Sequence, residues 1–148
     1  MKQPPDADYA ARVRASFAKQ KLMTTIGATL EKVEPGAVTI RLPFRDDLTQ
    51  QHGFLHAGAI ASVADSACGY AALSLMPADA GVLSIEFKIN MLSPAKGDAP
   101  VARGEVIRAG KKIMVCRADV FSITGREEKL VAAMQGTMMV AEGPGLAD

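Results

Sequence analysis

The residue with the most distinctive chemical setting is Asp65, a carboxylate in the middle of a long apolar segment. Residues 56–75 contain no proline and two glycines, and Ala, Leu, Ile, Val and Ser fill most of the other positions. A helix that is apolar on nearly every side is normally buried, and a carboxylate inside it is costly unless it is paired, hydrogen-bonded or facing a wet cleft. The pattern therefore predicts a buried helix whose acid either does chemistry or is a core acid satisfied by a strand, by Ser62 or by Ser66.

A polar turn that contains His52, Gly53 and His56 precedes this helix. The first amides of a helix have no intrahelical acceptor, and the positive end of the helix dipole favours a developing oxyanion. The amides of Ala57 and Gly58 are therefore candidate donors to a polarised carbonyl. Gly58 also suits a helix that merely packs closely against a strand.

The sequence does not predict a His–Asp pair between His56 and Asp65. The separation between them corresponds to roughly two and a half helical turns, so the two side chains leave opposite sides of one helix. We therefore expect His56 to orient the start of the helix or to pack there, and a role as a catalytic base is the less favoured alternative.

Alternating apolar residues elsewhere predict strands around this helix. An amphipathic helix is predicted from Asp6 or Asp8 to about Lys21, and a β-hairpin is predicted from Ile26, with its turn at 34–36. Four further strands are predicted over 82–91, 100–108, 113–123 and 130–141. Consecutive strands with short turns imply an α+β fold, in which an antiparallel sheet wraps around one long central helix and a short N-terminal helix lies outside.

The chain length of 148 residues suits a single domain over 1–148, and we expect its ends, 1–5 and 143–148, to be flexible. The predicted sheet has exposed edges, which are a liability for aggregation. Pairing of edges between two copies of the chain removes part of that liability. We therefore expect a homodimer or a dimer of dimers.

Composition excludes several classes of function. The net charge is +1 at pH 7, so the overall charge of the chain provides no electrostatic attraction to nucleic acid. Cys68 and Cys116 lie far apart in the sequence, form no metal-ligand spacing and are predicted to be reduced core residues. No apolar run reaches transmembrane length without interruption, and the N-terminus lacks an apolar signal core. We therefore expect a cytoplasmic protein without a metal, a membrane or a nucleic-acid partner.

Three segments, in this order, resemble acyl-CoA thioesterases of the phenylacetate-degradation (PaaI-like) family, which have the hotdog fold. Residues 53–65 resemble the family's His-Gly-Gly motif at the helix start, with an acid seven positions after the second Gly. Here the acid is Asp65, seven positions after Gly58. Residues 84–97 resemble the family's central strand and its Pro-Ala-Lys/Arg-x-Gly turn, and residues 108–112 resemble its basic hairpin.

This resemblance implies hydrolysis of an acyl-CoA thioester to a carboxylic acid and free CoA, without a cofactor. In the family the acid acts as general base on water or attacks the thioester directly, across a subunit boundary from the helix start that polarises the carbonyl. The resemblance assigns that role to Asp65 and the oxyanion hole to Ala57 and Gly58. It also suggests that Ser84 supports the water or the acid and that Gln50 holds the water or the thioester, although both equally suit ordinary strand and loop residues.

Two positions depart from the family pattern. Ala57 stands where the motif has Gly, and its methyl group narrows the approach to an amide that it retains. Gln50 stands where the family often has Asn and is one methylene longer. The phosphates of CoA suit Lys and Arg partners, and the candidates, each of which equally suits a solvated surface, are Arg108, Lys111, Lys112 and Lys96.

Two other functions stay open for the sequence. Acyl-thioester dehydratases and hydratases also have the hotdog fold, but they pair a His with an acid, and no such pair is evident within this chain. A non-catalytic acyl-CoA-binding protein of the same fold is left open by Ala57 and Gln50. Aromatic residues make up 5% of the chain, so the sequence neither supports nor excludes an aryl acyl group.

Overall fold

The computed structural model describes residues 3–97 and 99–148. Its α-helices are α1 (Tyr9–Lys19), α2 (Lys21–Ile26) and the central helix α3 (Ala57–Leu73). Its strands are β1 (Thr29–Glu34), β2 (Ala37–Arg41), β3 (Gly81–Met91), β4 (Val101–Ala109), β5 (Ile113–Thr124) and β6 (Glu127–Ala141). A short 3-10 helix, Asp46–Leu48, precedes α3.

The strands form one antiparallel sheet in the order β1-β2-β4-β5-β6-β3. Strands β1 and β3 are therefore the two edges. Helix α3 packs against β2, β3, β4, β5 and β6, so the sheet wraps around it. This arrangement confirms the predicted architecture, that of the hotdog fold. Although α3 is apolar, no helix among residues 3–97 and 99–148 is both long and apolar enough to span a membrane.

The helix and the sheet lie very close together at Gly104 on β4. A Cβ atom at this glycine would lie 2.4 Å from the carbonyl carbon and 2.4 Å from the carbonyl oxygen of Ala67 on α3. The Ala-rich composition of α3 and the missing side chain of Gly104 therefore allow backbone to lie against backbone. This contact sets how deep α3, and with it Asp65, lies in the sheet.

Helix α1 holds the opposite end of α3 through Arg12. The Arg12 guanidinium donates to the carbonyl oxygens of Leu73 (3.2 Å), Met76 (2.9 Å) and Ala80 (3.3 Å), and its Nε donates to Asp6 at 2.8 Å. The last carbonyls of a helix have no intrahelical donor, so Arg12 supplies one for the end of α3. Only 10% of the Arg12 side chain is exposed.

Two predicted boundaries near the N-terminus were wrong. The first helix does not run to Lys21, because Gln20 is extended (φ −77°, ψ 96°) and separates α1 from α2. Ile26 belongs to α2 and not to a strand. The helix ends at Gly27, whose φ of 75° is left-handed, so the apolar alternation from Ile26 to Leu30 crosses a helix end and only imitates a strand.

The carboxyl-terminal residue contacts the body of the molecule. Asp148 accepts from Ser16 Oγ and from the amide of Val82, both at 2.9 Å. Its amide donates to Ala80 O at 3.4 Å, which is the carbonyl that also accepts from Arg12. The flexibility of 143–148 stays a prediction, and residues 1–2 of the segment 1–5 lie outside the described residues.

Candidate active site

Asp65 lies midway along α3, on the side that faces edge strand β3. Ser84 Oγ on β3 donates to Asp65 Oδ1 at 2.7 Å, and the same hydroxyl lies 3.3 Å from Met138 Sδ on β6. Asp65 is half-buried and Ser84 is exposed. Within residues 3–97 and 99–148, no Lys, Arg or His forms an ion pair with Asp65. The carboxylate is therefore held by a hydroxyl at an open edge, where water has access.

The two serines of α3 that were candidate partners of Asp65 bond elsewhere. Ser62 Oγ donates to the carbonyl of Gly58 at 2.7 Å, and Ser66 Oγ donates to Gln20 Oε1 at 3.0 Å. Of the partners considered from the sequence, the strand hydroxyl of Ser84 is thus the one in contact with Asp65.

His56 is the N-cap of α3. Its Nδ1 accepts from the amide of Gly58 at 2.8 Å, so that amide is already satisfied. Of the two predicted oxyanion donors, only the amide of Ala57 has no acceptor among residues 3–97 and 99–148. Because Nδ1 accepts, the neutral imidazole carries its hydrogen on Nε2. His56 therefore orients the helix start, as the sequence predicts, and no hydrogen bond joins it to Asp65 in the described structure.

The absence of a side chain at Gly58 leaves space for the His56 imidazole that caps the helix. A Cβ atom at position 58 would lie 3.0 Å from His56 Nδ1 and 3.4 Å from His56 Cε1, closer than ordinary contacts allow. The glycine is thus explained by the imidazole that folds over it. The alternative prediction, close packing of Gly58 on a strand, is wrong, because the residue is exposed.

Gln50 begins the turn that leads into α3. Its Oε1 accepts from the amide of His52, and its backbone accepts from Gly53 (3.0 Å) and donates to Phe54 (2.8 Å). The φ of Gly53 is 80°, a value that favours glycine. Since the oxygen of the side-chain amide is occupied, its NH₂ group is what Gln50 can offer to a ligand.

The predicted CoA-binding residues lie in two separate places. Arg108, Lys111 and Lys112 are exposed around the β4–β5 turn. Lys96 lies at the far end of β5, where its carbonyl accepts from Ser122 Oγ at 2.9 Å. Ten residues of strand separate Ser122 from Lys112, which is about 30 Å. A single chain therefore does not bring Lys96 to the basic turn.

A cavity beside the start of α3 was not predicted from the sequence. Its volume is about 370 Å³, and Gln50 and Ala57 lie on it together with side chains such as Phe54, Ile60 and Met91. In the sequence, apolar residues that line a cavity have no signal that separates them from core residues.

Neither cysteine belongs to this site. Cys68 and Cys116 are both buried, as predicted, and burial raises the pKa of the Cys68 thiol far above its ordinary value. Among residues 3–97 and 99–148, no cluster of three His, Cys, Asp or Glu side chains is placed to hold a metal ion.

An antiparallel sheet wrapped around one helix, with an acid–hydroxyl pair at its open edge, defines a hotdog-fold thioester hydrolase. The chain belongs to the thioesterase superfamily, whose family model matches residues 52–129. That match includes the helix start, Asp65, Ser84 and the basic β4–β5 turn.

Comparisons with individual proteins agree with this family assignment. A crystal structure of a thioesterase family protein from Silicibacter pomeroyi is similar at 47% identity, covers 91% of this chain and 99% of its own, and has a TM-score of 0.89. The 1,4-dihydroxy-2-naphthoyl-CoA hydrolase of Listeria monocytogenes is 29% identical over 80% of this chain and 94% of its own. The E. coli PaaI protein shares the fold at 20% identity, with a TM-score of 0.83 over 92% of this chain and 95% of its own.

Proposed function

We propose that the protein is an acyl-CoA thioesterase, which releases a carboxylic acid and free CoA without a metal or redox cofactor. The observation that carries this proposal is the Asp65 carboxylate, bonded to Ser84 Oγ at 2.7 Å at the open edge of the sheet. The similarity to a hydrolase of a naphthoyl-CoA ester supports a CoA thioester as the substrate.

The distance between the two halves of the site supports a site shared by two subunits. Asp65 is eight residues along α3 from Ala57, about 12 Å at 1.5 Å per residue, which is too far for both to reach one carbonyl group. Strand β3 runs antiparallel to α3, so that Ser84 lies beside Asp65 and Met91 lies beside the cavity at the helix start. A second copy is therefore needed to bring a helix start to Asp65.

The β3 edge suits that second copy. One side of β3 pairs with β6 and the other has no partner strand in the described sheet, while Leu83, Ile85 and Phe87 are 43–52% exposed. Antiparallel pairing of two β3 strands would place the late part of one strand beside the early part of the other. Such pairing would bring the partner's Ala57 near Asp65, and the partner's Lys96 to the side of the basic β4–β5 turn.

In the mechanism that we propose, Asp65 and the Ser84 hydroxyl hold a water molecule at the thioester carbon. Asp65 accepts a proton from this water while the water oxygen bonds to the carbonyl carbon, as a general base does. The oxyanion accepts from the amide of the partner's Ala57 and from the side-chain NH₂ of the partner's Gln50. The C–S bond then breaks, and the CoA sulfur takes the proton from Asp65.

Direct attack by Asp65 is the alternative to base catalysis. It would form a mixed anhydride that water hydrolyses in a second step. A single turnover in ¹⁸O-labelled water separates the two when water attacks the Asp65 carbonyl of the anhydride. The label then enters the Asp65 carboxylate and the product acid stays unlabelled, whereas base catalysis places the label in the product acid alone.

The primary test compares wild type with Asp65→Asn and Asp79→Asn by release of free thiol from acyl-CoA esters. Asn retains the shape of Asp65 and an acceptor for Ser84 but cannot take a proton, so we expect a loss of about 10²–10⁴-fold in kcat. Asp79 is exposed in the loop after α3 and is the matched control. CoA-ester binding without thiol release by wild type would establish the non-catalytic binding protein instead.

Subunit mixing tests whether the site is shared. Asp65→Asn and Ala57→Pro each inactivate one half of the site, because proline removes the amide hydrogen. Hybrid dimers contain one site with both halves intact, so a refolded mixture should regain part of the wild-type activity. A mixture as inactive as its components, with hybrids demonstrated by mass, would show that each chain has its own complete site.

A further inference from the structure

The cavity at the start of α3 is lined mainly by apolar residues. Its volume is about 370 Å³, and its larger apolar side chains are Phe54, Leu55, Ile60, Met91, Leu92 and Pro94. No charged residue among residues 3–97 and 99–148 lines it. Its size lies at the small end of the range for ligand pockets, about 300–1,000 Å³.

We infer that this cavity binds the acyl group, and that the substrate class is the CoA ester of an uncharged, compact, hydrophobic carboxylic acid. This inference rests on the proposed thioesterase function and deepens it. The polar groups at the cavity fit this orientation, because the free amide of Ala57 and the NH₂ group of Gln50 lie on the same cavity. A carbonyl held by those donors directs its acyl chain onto the apolar side chains.

The lining discriminates by charge. An acyl chain that ends in a carboxylate would lose its hydration against Ile60, Leu92 and Pro94 and find no cation there. Burial of an unpaired charge is strongly unfavourable. Dicarboxylic monothioesters are therefore poor substrates, although they are as long as their neutral counterparts.

The lining also limits length, because residues 93–95 of the cavity wall, and residues 96–97 that follow them, are held in place. Leu55 donates to Ala95 O at 3.0 Å, and Ser122 Oγ donates to Lys96 O at 2.9 Å. A Cβ atom on Gly97 would lie 2.7 Å from Ile123 O, so this loop lies directly on β5 and cannot move inward. The remaining adaptable wall is Met91, an unbranched side chain that adjusts to the shape of its partner.

The test measures kcat/KM for saturated straight-chain acyl-CoA esters from butanoyl to hexadecanoyl, and for the matched pair hexanoyl-CoA and adipoyl-CoA. We expect hexanoyl-CoA to exceed both adipoyl-CoA and hexadecanoyl-CoA by about tenfold or more, since small changes in a hydrophobic pocket have effects of this size. Equal values for hexanoyl and adipoyl esters would overturn the inference and leave the thioesterase intact. Failure to hydrolyse any ester would instead refute the proposed function, and the inference with it.

Two variants test whether the cavity determines the chain-length profile of kcat/KM. Met91→Ala enlarges the wall and should move the optimum toward longer chains, whereas Leu22→Ala, at an exposed position on α2 (52% exposed), should leave the profile unchanged. Thermal unfolding establishes that both variants are folded. A Met91→Ala protein that is folded and active but has the wild-type chain-length profile would show that the acyl group lies elsewhere.

Discussion

Replacement of Arg12 by Leu should destabilise the fold by about 2–4 kcal/mol, because it removes a charged hydrogen-bond donor from part-buried carbonyl groups. Arg12 donates to three carbonyl groups, one at the end of α3 and two in the loop that leads to β3, at 3.2, 2.9 and 3.3 Å. A hydrogen bond from a charged donor contributes about 1.5–3 kcal/mol, and the two longer bonds fall at the low end. Leucine retains apolar bulk but removes the charged donor from all three carbonyls. The amides of Met76 and Asp148 still donate to Leu73 O (3.0 Å) and Ala80 O (3.4 Å), so the largest loss is at Met76 O. The loss is a large part of an ordinary stability of about 5–15 kcal/mol.

Urea unfolding followed by far-UV circular dichroism measures this loss, since the chain has no tryptophan. Arg14→Leu is the matched control on the same helix, because Arg14 is exposed and makes one 3.5 Å contact with Leu30 O. Arg12→Lys retains the charge but not the geometry and should fall between wild type and Arg12→Leu. If Arg12→Leu loses no more stability than Arg14→Leu, the hydrogen bonds from Arg12 to the carbonyl groups make no net contribution to stability and our reasoning is refuted.

The same network predicts a pH dependence. The amide of Asp8, and then the Arg12 guanidinium, lower the pKa of Asp6 from its ordinary 3.8. A group with a lowered folded pKa contributes stability above its unfolded pKa, and this contribution is lost as the pH falls through the folded pKa. The urea midpoint of wild type should therefore fall more steeply in acid than that of Asp6→Asn.

Three further predictions concern packing, substrate binding and thiol chemistry. Gly104→Ala should cost about 1–3 kcal/mol, because its Cβ would meet the Ala67 backbone at 2.4 Å. A Cβ atom added at Gly69 on α3 would meet nothing closer than 3.9 Å outside its own helix backbone. Gly69→Ala should therefore increase the free energy of unfolding by up to about 1 kcal/mol. Alanine at the three basic residues of the β4–β5 turn, Arg108, Lys111 and Lys112, should raise KM for CoA esters far more than for pantetheine esters. Equal effects on both esters would refute the proposed contact between these residues and the CoA phosphates. An aromatic disulfide reagent should leave the folded protein unmodified, because burial raises the pKa of Cys68, and fast modification would contradict the buried position.

The sequence predicts the sheet well, because its strands are long and regularly patterned. Strand β5, predicted over 113–123, is found at Ile113–Thr124, and β6 only begins three residues earlier than predicted. Helix α2 was missed because six residues are too few to show a helical period. Local patterns thus predict a helix or strand when it is longer than two or three repeats of its own periodicity.

The predicted site depends on contacts that no local pattern contains. The spacing of His56 and Asp65 excludes a pair between them, but it does not show that His56 caps its own helix and occupies the amide of Gly58. The distance between Lys96 and the basic turn follows from the course of β5. The apolar cavity likewise combines the polar turn, α3 and the end of β3, which are distant in sequence.

The carbonyl of Ala80 is an acceptor shared by helix α1 and residue 148. The N-terminal helix reaches this carbonyl through Arg12, and the last residue reaches it through its amide. One carbonyl in front of β3 therefore couples α1 and residue 148 to the strand that carries Ser84. The exposed β5–β6 turn at Gly125, where nothing lies within 4 Å of an added Cβ, should accept a peptide insertion away from the proposed catalytic groups.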